Sequence, residues 1–380
     1  MSGIYFHIPF CKQACHYCNF HFSTSLLQKE EMIKAMVKEI SLTKFLDDEI
    51  NTIYFGGGTP SLLNAEEVKK LLFAVNEKFK ISKNAEVTLE TNPDDINSIK
   101  LFEWKFAGIN RLSVGIQSFK EDDLLWMNRA HNAVQALESI KMIKDAGFQN
   151  FSVDLIYGTP TLSDEEWKKN VEIAINFNVP HLSCYALTVE DKTALQKMIS
   201  LKKKQEVDAE KQAHQFLLLM NWLKDAGYEH YEISNFAKPG FRSKHNSSYW
   251  QGKAYIGIGP SAHSFFNDVR RWNVNNNALY IQSLKKNIIP YEEEKLSDVQ
   301  KLNEYIMTSL RTIEGINLNY VESFFGNAAK LTLQTASIKF INNYKLQTTN
   351  HNFILTEEGK LFADGIAADL FFEEKKEHSI

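Results

Sequence analysis

Residues 4–20 read IYFHIPFCKQACHYCNF, a short apolar strand candidate followed by three of the chain's four cysteines. Cys11, Cys15 and Cys18 are spaced C-x3-C-x2-C. Three clustered thiols suit neither common use of cysteine, because structural zinc takes four protein ligands and disulfides consume thiols in pairs. Iron–sulfur clusters are held by cysteine thiolates, and a four-iron cluster has four metal corners. Three cysteines on one loop leave one iron open, and an open position is where a metal does chemistry. Two other completions remain on these residues alone. His7, His16 or His21 can complete a zinc ion, and Cys184 can supply a fourth thiol. Cys184, however, lies mid-strand in HLSCYALT, where a small buried thiol is the commoner state.

Composition narrows the setting. At 380 residues and 44% hydrophobic, the chain can bury one large core and a smaller one. A net charge of −4, from 43 basic and 47 acidic residues, supplies no field that draws nucleic acid. Lys202-Lys203-Lys204 fits a solvated turn. No apolar run approaches the ~18 residues of a membrane span. The N-terminus lacks a secretory pattern, and the cysteines do not form a secreted disulfide framework. The expectation is a cytoplasmic, reducing location.

Up to about residue 236, short apolar runs alternate with amphipathic ones. Strands are expected at Ile4–Ile8, Thr52–Phe55, Glu86–Glu90, Arg111–Ile116, Ser152–Ile156, His181–Leu187 and His230–Ser234. Helices are expected at Gln28–Phe45, Ala65–Phe79, Ala133–Asp145, Asp164–Phe177 and Asp208–Asp225. Repeated strand–helix units imply parallel pairing with right-handed crossovers. Ala107-Gly108, Ala146-Gly147 and Ala226-Gly227, 39 and 80 residues apart, each close a helix before a strand, where glycine supplies the left-handed cap. The chain is therefore α/β, a partial (β/α)6-type barrel over 1–236. A connecting region covers 237–290. A small, mostly helical, winged-helix-like domain covers 291–373, with helices at Asp298–Ile313, Leu318–Phe325 and Ala328–Asn343. There Phe353–Leu355 is the one strand, leading into Thr356–Phe372, and 374–380 is a disordered tail.

Further stations stand at strand ends. YFGGGTPSLL, residues 54–63, follows a strand with three glycines that let backbone approach a ligand closely. No Gly-Lys-Ser/Thr follows, so the Walker pattern fails. Glu90 in VTLETNP, Gln117 in RLSVGIQSF, Arg129 in MNRAH and Asp154 in VDLIYGTP close or follow apolar strands, where a barrel displays its ligand-binding face.

The cysteine loop after a first strand, with Tyr17 before its last cysteine, resembles the radical S-adenosylmethionine (SAM) enzymes. That resemblance implies one 4Fe–4S cluster per chain on Cys11, Cys15 and Cys18, with SAM chelating the open iron. It also implies an electron from the cluster that cleaves the sulfonium to a 5′-deoxyadenosyl radical. IYFHIPFC, GGGTP, the polar strand ends and the C-terminal LTEEGKLFADGIAADLF are similar to the coproporphyrinogen III dehydrogenase group of that family, over nearly the whole chain. By this resemblance the SAM-contacting positions are Tyr5, Tyr17, Gly57, Gly58, Thr59, Glu90, Gln117, Arg129, Asp154 and Ala186. Arg129 suits the SAM carboxylate, and Glu90 and Asp154 suit amino or hydroxyl donors.

Two branches of that group differ at the front. The oxygen-independent oxidases carry a further cysteine, C-x3-C-x2-C-x-C, where this chain has Phe20, and a longer segment before the first strand. The shorter haem-chaperone branch carries H-N-x-x-Y-W, matched here by HNSSYW, residues 245–250. His245, Asn246, Tyr249 and Trp250 are thus candidates for haem: imidazole as axial ligand, the aromatics as stacking faces. Lys238, Arg242 and Lys244 can meet propionates. A histidine satisfying a polar loop is the alternative at His245, and His263 in GIGPSAHSF is a weaker second candidate. The implied function is a haem chaperone that passes haem to haemoproteins, those of the respiratory chain among them, with an electron donor for the cluster. A homodimer and a peripheral visit to the inner membrane fit the same reading. The alternative is a coproporphyrinogen III oxidase or another radical SAM enzyme acting on a tetrapyrrole, and whether SAM is cleaved stays open. A pure electron-transfer protein would not need GGGTP.

Overall fold

The computed structural model describes residues 2–44 and 49–374. Phe45 of the expected first helix, and all of the expected tail after Glu374, lie outside the described residues. Six strands form a parallel run in chain order: β1 (Ser2–Ile8), β2 (Ile50–Gly57), β3 (Ile81–Thr91), β4 (Arg111–Gln117), β5 (Phe151–Tyr157) and β6 (His181–Ala186). Alternation along β1 shows how each strand works. Ile4, Phe6 and Ile8 are buried toward the helical layer, while Tyr5 faces the concave side and stacks on Tyr54 at 6.2 Å.

Helices α1 (Lys29–Leu42), α2 (Ala65–Lys78), α3 (Ser98–Ala107), α4 (Glu121–Met127), α5 (Ala133–Asp145), α6 (Asp164–Asn176), α7 (Ala194–Ser200) and α8 (Ala209–Asp225) connect the strands. Capping boxes start α2 at Asn64, α5 at Asn132 and α6 at Ser163. Gly108, Gly147 and Gly227 take positive φ at +107°, +74° and +78°, as the Ala-Gly echo requires. Leu71, Val75, Leu101 and Trp104 fall on the sheet-facing sides of α2 and α3. Each large apolar side chain so buried contributes about 1.5–3 kcal/mol.

The seventh expected unit is different. β7 (Glu229–Glu232) and β8 (Asn235–Ala237) form an antiparallel hairpin that pairs with β6 through β8. Only Ile233 and Ser234 join them, a connection too short for a parallel crossover. On the other edge, after α9 (Lys244–Trp250), β9 (Tyr255–Ile258) joins β1 in parallel. The antiparallel strands β10 (His263–Phe266), β11 (Val269–Asn273) and, after α10 (Asn277–Lys285), β12 (Tyr291–Lys295) extend it. The barrel is therefore open, with β7 and β12 at the ends of one twelve-stranded sheet.

The C-terminal region has α11 (Asp298–Leu310), α12 (Leu318–Asn342) and α13 (Ala363–Asp369), with its own core. Its small sheet has β13 (Ile316–Asn317), β14 (Leu346–Thr349) and β15 (Asn352–Leu355), so the one expected strand belongs to a three-stranded wing. Gly326, at φ +88°, kinks α12 where the sequence separates two helices. Within Thr356–Phe372, Gly359–Phe362 is a 3-10 turn ahead of α13, and Gly359 abuts the Lys345 carbonyl where no Cβ fits. Arg311 anchors this region through its carbonyl, which accepts from Ile233 N at 3.0 Å.

Candidate functional site

The cysteine loop leaves the C-terminal end of β1 and is tied down at both ends. Cys11 N donates to Ser23 O at 3.0 Å, and His16 N to Met127 O at 3.1 Å. Asn128, left-handed at φ +59° beyond α4, donates from its amide to Ala14 O at 2.8 Å. Helix α4, which the sequence pattern did not signal, is thus the clamp on the loop. The thiols of Cys11, Cys15 and Cys18 lie near enough to act on one another. Burial pushes the Cys11 thiol up to about 11, and the charges of Cys18 and Cys15 push it the same way. Among the described residues no three Cys, His, Asp or Glu side chains already stand as a closed metal site.

The barrel mouth is built around that loop. Arg129 donates from Nη1 to Cys15 Sγ and to the Tyr17 hydroxyl, both at 3.3 Å. Its Nη2 donates to Asn92 Oδ1 at 2.8 Å and to Gly115 O at 2.7 Å. Its Nε is buried without a partner. Gly58 N and Thr59 N bond the carbonyls of Ile8 and Phe10, which lays the glycine strand end against the start of the cysteine loop. A Cβ at Gly58 would stand 2.6 Å from Phe10 O, and one at Gly57, whose φ is +104°, 2.8 Å from the His7 ring. Gln117 holds a left-handed φ of +68° at its strand end, a strained conformation of the kind that collects at ligand sites.

Two acids face each other across the interior. Glu90 accepts from the Tyr54 hydroxyl at 2.8 Å, and burial raises its carboxyl to about 7, with Asp154 adding to the rise. Asp154 accepts from Ser113 Oγ at 3.3 Å, and burial raises it to about 6. Ala186 ends β6 beside Tyr157. The donor set fits the implied groups: three thiols on one loop, an arginine donating to a thiol, an orphaned buried N–H and glycines packed too closely for a side chain. Asn92 and Tyr54 belong to this set and escaped sequence reasoning, although Asn92 lies two residues after Glu90.

HNSSYW forms α9, whose N-terminus receives Ser243 as a cap. Glu86 accepts from Lys244 N and His245 N at 3.2 and 3.1 Å. His245 is 1% exposed. Its Nδ1 shares a hydrogen bond with Thr52 Oγ1 and its Nε2 with the Tyr249 hydroxyl, both at 2.8 Å, and it stacks on Tyr54 at 4.9 Å. Burial and Arg111 lower it to about 3, so it is neutral. Asn246 is half-buried on the same turn.

Tyr249 and Trp250 line a groove of about 1510 Å³ that runs from Asn19, Phe20 and His21 of the cysteine loop to the C-terminal region. Tyr305, Tyr320 and Phe324 form its far wall, with successive ring centroids 4.3 Å apart. Of the three basic residues ahead of the motif, Arg242 lines the groove but is held by Glu229 and Glu314. Lys238 bonds Asn178 instead, and Lys244 points to solvent.

The radical SAM superfamily model matches residues 5–174. A heme chaperone HemW from Bacillus subtilis is 30% identical over 371 residues, covering 96% of this chain and 98% of its own. One from Lactococcus lactis is 32% identical over 362 residues, covering 94% of each. The chain belongs to the HemW family of radical SAM proteins. The coproporphyrinogen III oxidase HemN of Escherichia coli superposes with a TM-score of 0.84 over 97% of this chain and 90% of its own, at 19% identity, which speaks to the fold. Membership in this family implies a 4Fe–4S cluster and SAM. In this member Phe20 is 64% exposed on the groove side of the loop. No helix among the described residues is long and apolar enough to cross a membrane.

Proposed function

We propose that this chain carries haem: it receives the macrocycle in the aromatic groove beside a cluster- and SAM-binding barrel mouth, and passes it to apo-haemoproteins. The observation that carries the reading is the continuity of one groove from the cysteine loop to Tyr249 and Trp250. Tyr5, Tyr255 and Phe265 line one side and Tyr305, Tyr320 and Phe324 the other, flat aromatic faces of the kind a porphyrin stacks on. Cys11, Cys15 and Cys18 would hold the cluster, which when bound supplies one-electron chemistry at a sulfonium. Arg129 and Asn92 would hold the carboxylate of SAM, a role that their mutual hydrogen bond at 2.8 Å supports. Glu90 and Asp154, both titrating near neutrality, can hold or release a proton toward an amine or hydroxyl. His245 fixes Tyr249 at the groove wall through its hydroxyl. Haemoproteins of the respiratory chain are the recipients in this reading, and an electron donor, a second copy of the chain and a peripheral contact at the inner membrane are its further partners.

The test uses the anaerobically reconstituted full chain. Hemin is titrated by its Soret band, transfer to an excess of an apo-haemoprotein is followed, and coproporphyrinogen III is assayed with SAM and reductant. Stoichiometric binding and transfer without protoporphyrinogen are expected. Efficient conversion of coproporphyrinogen III would overturn the carrier reading in favour of an oxidase.

A further inference from the structure

The haem-carrying reading leaves open which side chain meets the iron. An axial ligand approaches the face of a macrocycle, so it must stand on a groove wall with a free ring nitrogen. His245 does not: it is buried and both its nitrogens are engaged. Three histidines line the groove, His7, His21 and His263. His7 has Nε2 on His21 O at 2.8 Å and Nδ1 near the Tyr5 hydroxyl at 3.4 Å. The Nε2 of His21 is held by Asn277 at 2.8 Å and its ring stacks on His7 at 6.1 Å, which leaves it Nδ1 alone. His263 is exposed, and among the described residues neither of its nitrogens has a hydrogen-bond partner.

The sheet explains why it faces the groove. Tyr5 pairs with Gly257 across β1 and β9, and Tyr255 with Phe265 across β9 and β10, which sets His263 beside Gly257. Residues directly across strands share a face, and residues two apart share it too. Tyr5, Tyr255, Phe265 and His263 therefore form one platform, and all four line the groove. The His263 backbone packs onto Gly257, where a Cβ would stand 2.1 Å from the His263 carbonyl, and this contact fixes the histidine at the edge of the platform.

The charges of the groove point to the same platform. Arg242, Arg270 and Lys301 line it in ion pairs, with Glu229 and Glu314, with Glu294 and Glu304, and with Asp268 and Asp298. Lys253 also lines it and has no ion pair among the described residues. It stands two residues ahead of β9, whose Tyr255 belongs to the platform, so its ammonium can reach the propionate edge of a macrocycle seated there.

We infer that His263 is the axial ligand to the haem iron on the β9–β10 platform, with Lys253 pairing a propionate, and that His245 positions the wall without touching iron. This inference rests on the haem-carrying reading. Ferric and ferrous haem are titrated into the full chain and into His263→Ala, His245→Ala, Lys253→Ala and Lys253→Arg, with magnetic circular dichroism and electron paramagnetic resonance to identify imidazole ligation. His263→Ala, at an exposed position, keeps its melting temperature, loses at least tenfold in affinity and loses the imidazole signature, which added 4-methylimidazole restores. Lys253→Ala weakens binding three- to tenfold with the signature intact, and Lys253→Arg recovers it. His245→Ala keeps the signature in its folded fraction. An unchanged signature and affinity in His263→Ala overturn the assignment alone, as does a signature lost only in His245→Ala. A wild-type chain that takes no haem overturns the carrier reading and this assignment together.

Discussion

Arg129 and Cys15 are hydrogen-bonded, guanidinium Nη1 to sulfur at 3.3 Å, and the other terminal nitrogen of the same arginine ties Asn92 to the Gly115 carbonyl. One planar fork thus joins the cysteine loop to the ends of β3 and β4. Lysine offers a single ammonium and cannot serve all these directions. Arg129→Lys should keep the absorbance of a 4Fe–4S cluster, because the thiols remain, and should weaken SAM binding at least tenfold. Electron paramagnetic resonance of the reduced cluster with and without SAM measures both. Undiminished SAM affinity would remove Arg129 from the binding set.

The four cysteines should separate cleanly. Cys15→Ala removes one of three thiols on the loop, and the four-iron spectrum should vanish. Cys184 is 1% exposed within β6, and burial holds its thiol well above the usual range. Cys184→Ala should leave iron and sulfide content unchanged and cost only about 1 kcal/mol through the small cavity it opens. Iron loss in Cys184→Ala would make it a ligand after all.

His245→Ala should cost about 2–4 kcal/mol, because it empties a buried site and strands Thr52 and Tyr249 without their partner. The melting temperature should fall by several degrees. Substituting asparagine keeps a polar group and should recover part of the loss. An unchanged melting temperature would mean that the imidazole is not the packed, doubly bonded group seen here.

The parallel half of the fold was legible because its signals are local: β1 alternates, capping residues start the helices, and Ala-Gly pairs end three of them. The antiparallel edges were not. The β7–β8 hairpin reads as a strand of a seventh unit, and only its two-residue link betrays it. β9 through β11 are only four or five residues each and no helix separates them, so pattern alone gives little. At the site, Glu90 announced itself as a polar residue closing an apolar strand, whereas Arg129, expected at a strand end, stands just beyond helix α4. HNSSYW was legible as a motif but not as a placement: the helix that carries it turns His245 inward beneath Tyr54, which depends on Thr52 and Glu86, 193 and 159 residues away. His263 was the reverse, weak in the sequence and open in the groove, because its exposure comes from the register of β9 and β10.

Glu39 gives the fold a pH dependence of definite sign. Its carboxylate accepts from Gly259 N at 2.8 Å, from Asn273 Nδ2 at 2.6 Å and from the Tyr280 hydroxyl, which pins α1 to the β9–α10 extension. It is 2% exposed, and burial raises it to about 7 against an ordinary 4.5, the hydrogen bonds opposing the rise. A carboxyl with a raised folded pKa binds its proton more tightly in the native state. Its contribution is therefore full below about pH 4.5 and is lost as pH climbs through about 7. The loss amounts to ~3 kcal/mol. Glu39→Gln keeps the shape and cannot ionise. Wild type should lose more denaturant resistance than Glu39→Gln between pH 5 and pH 8, and the difference isolates Glu39 from Glu90 and Asp154, which change stability in the same direction in both proteins. Equal slopes in the two would show that Glu39 is not the buried acid that fastens the β9–α10 extension to α1.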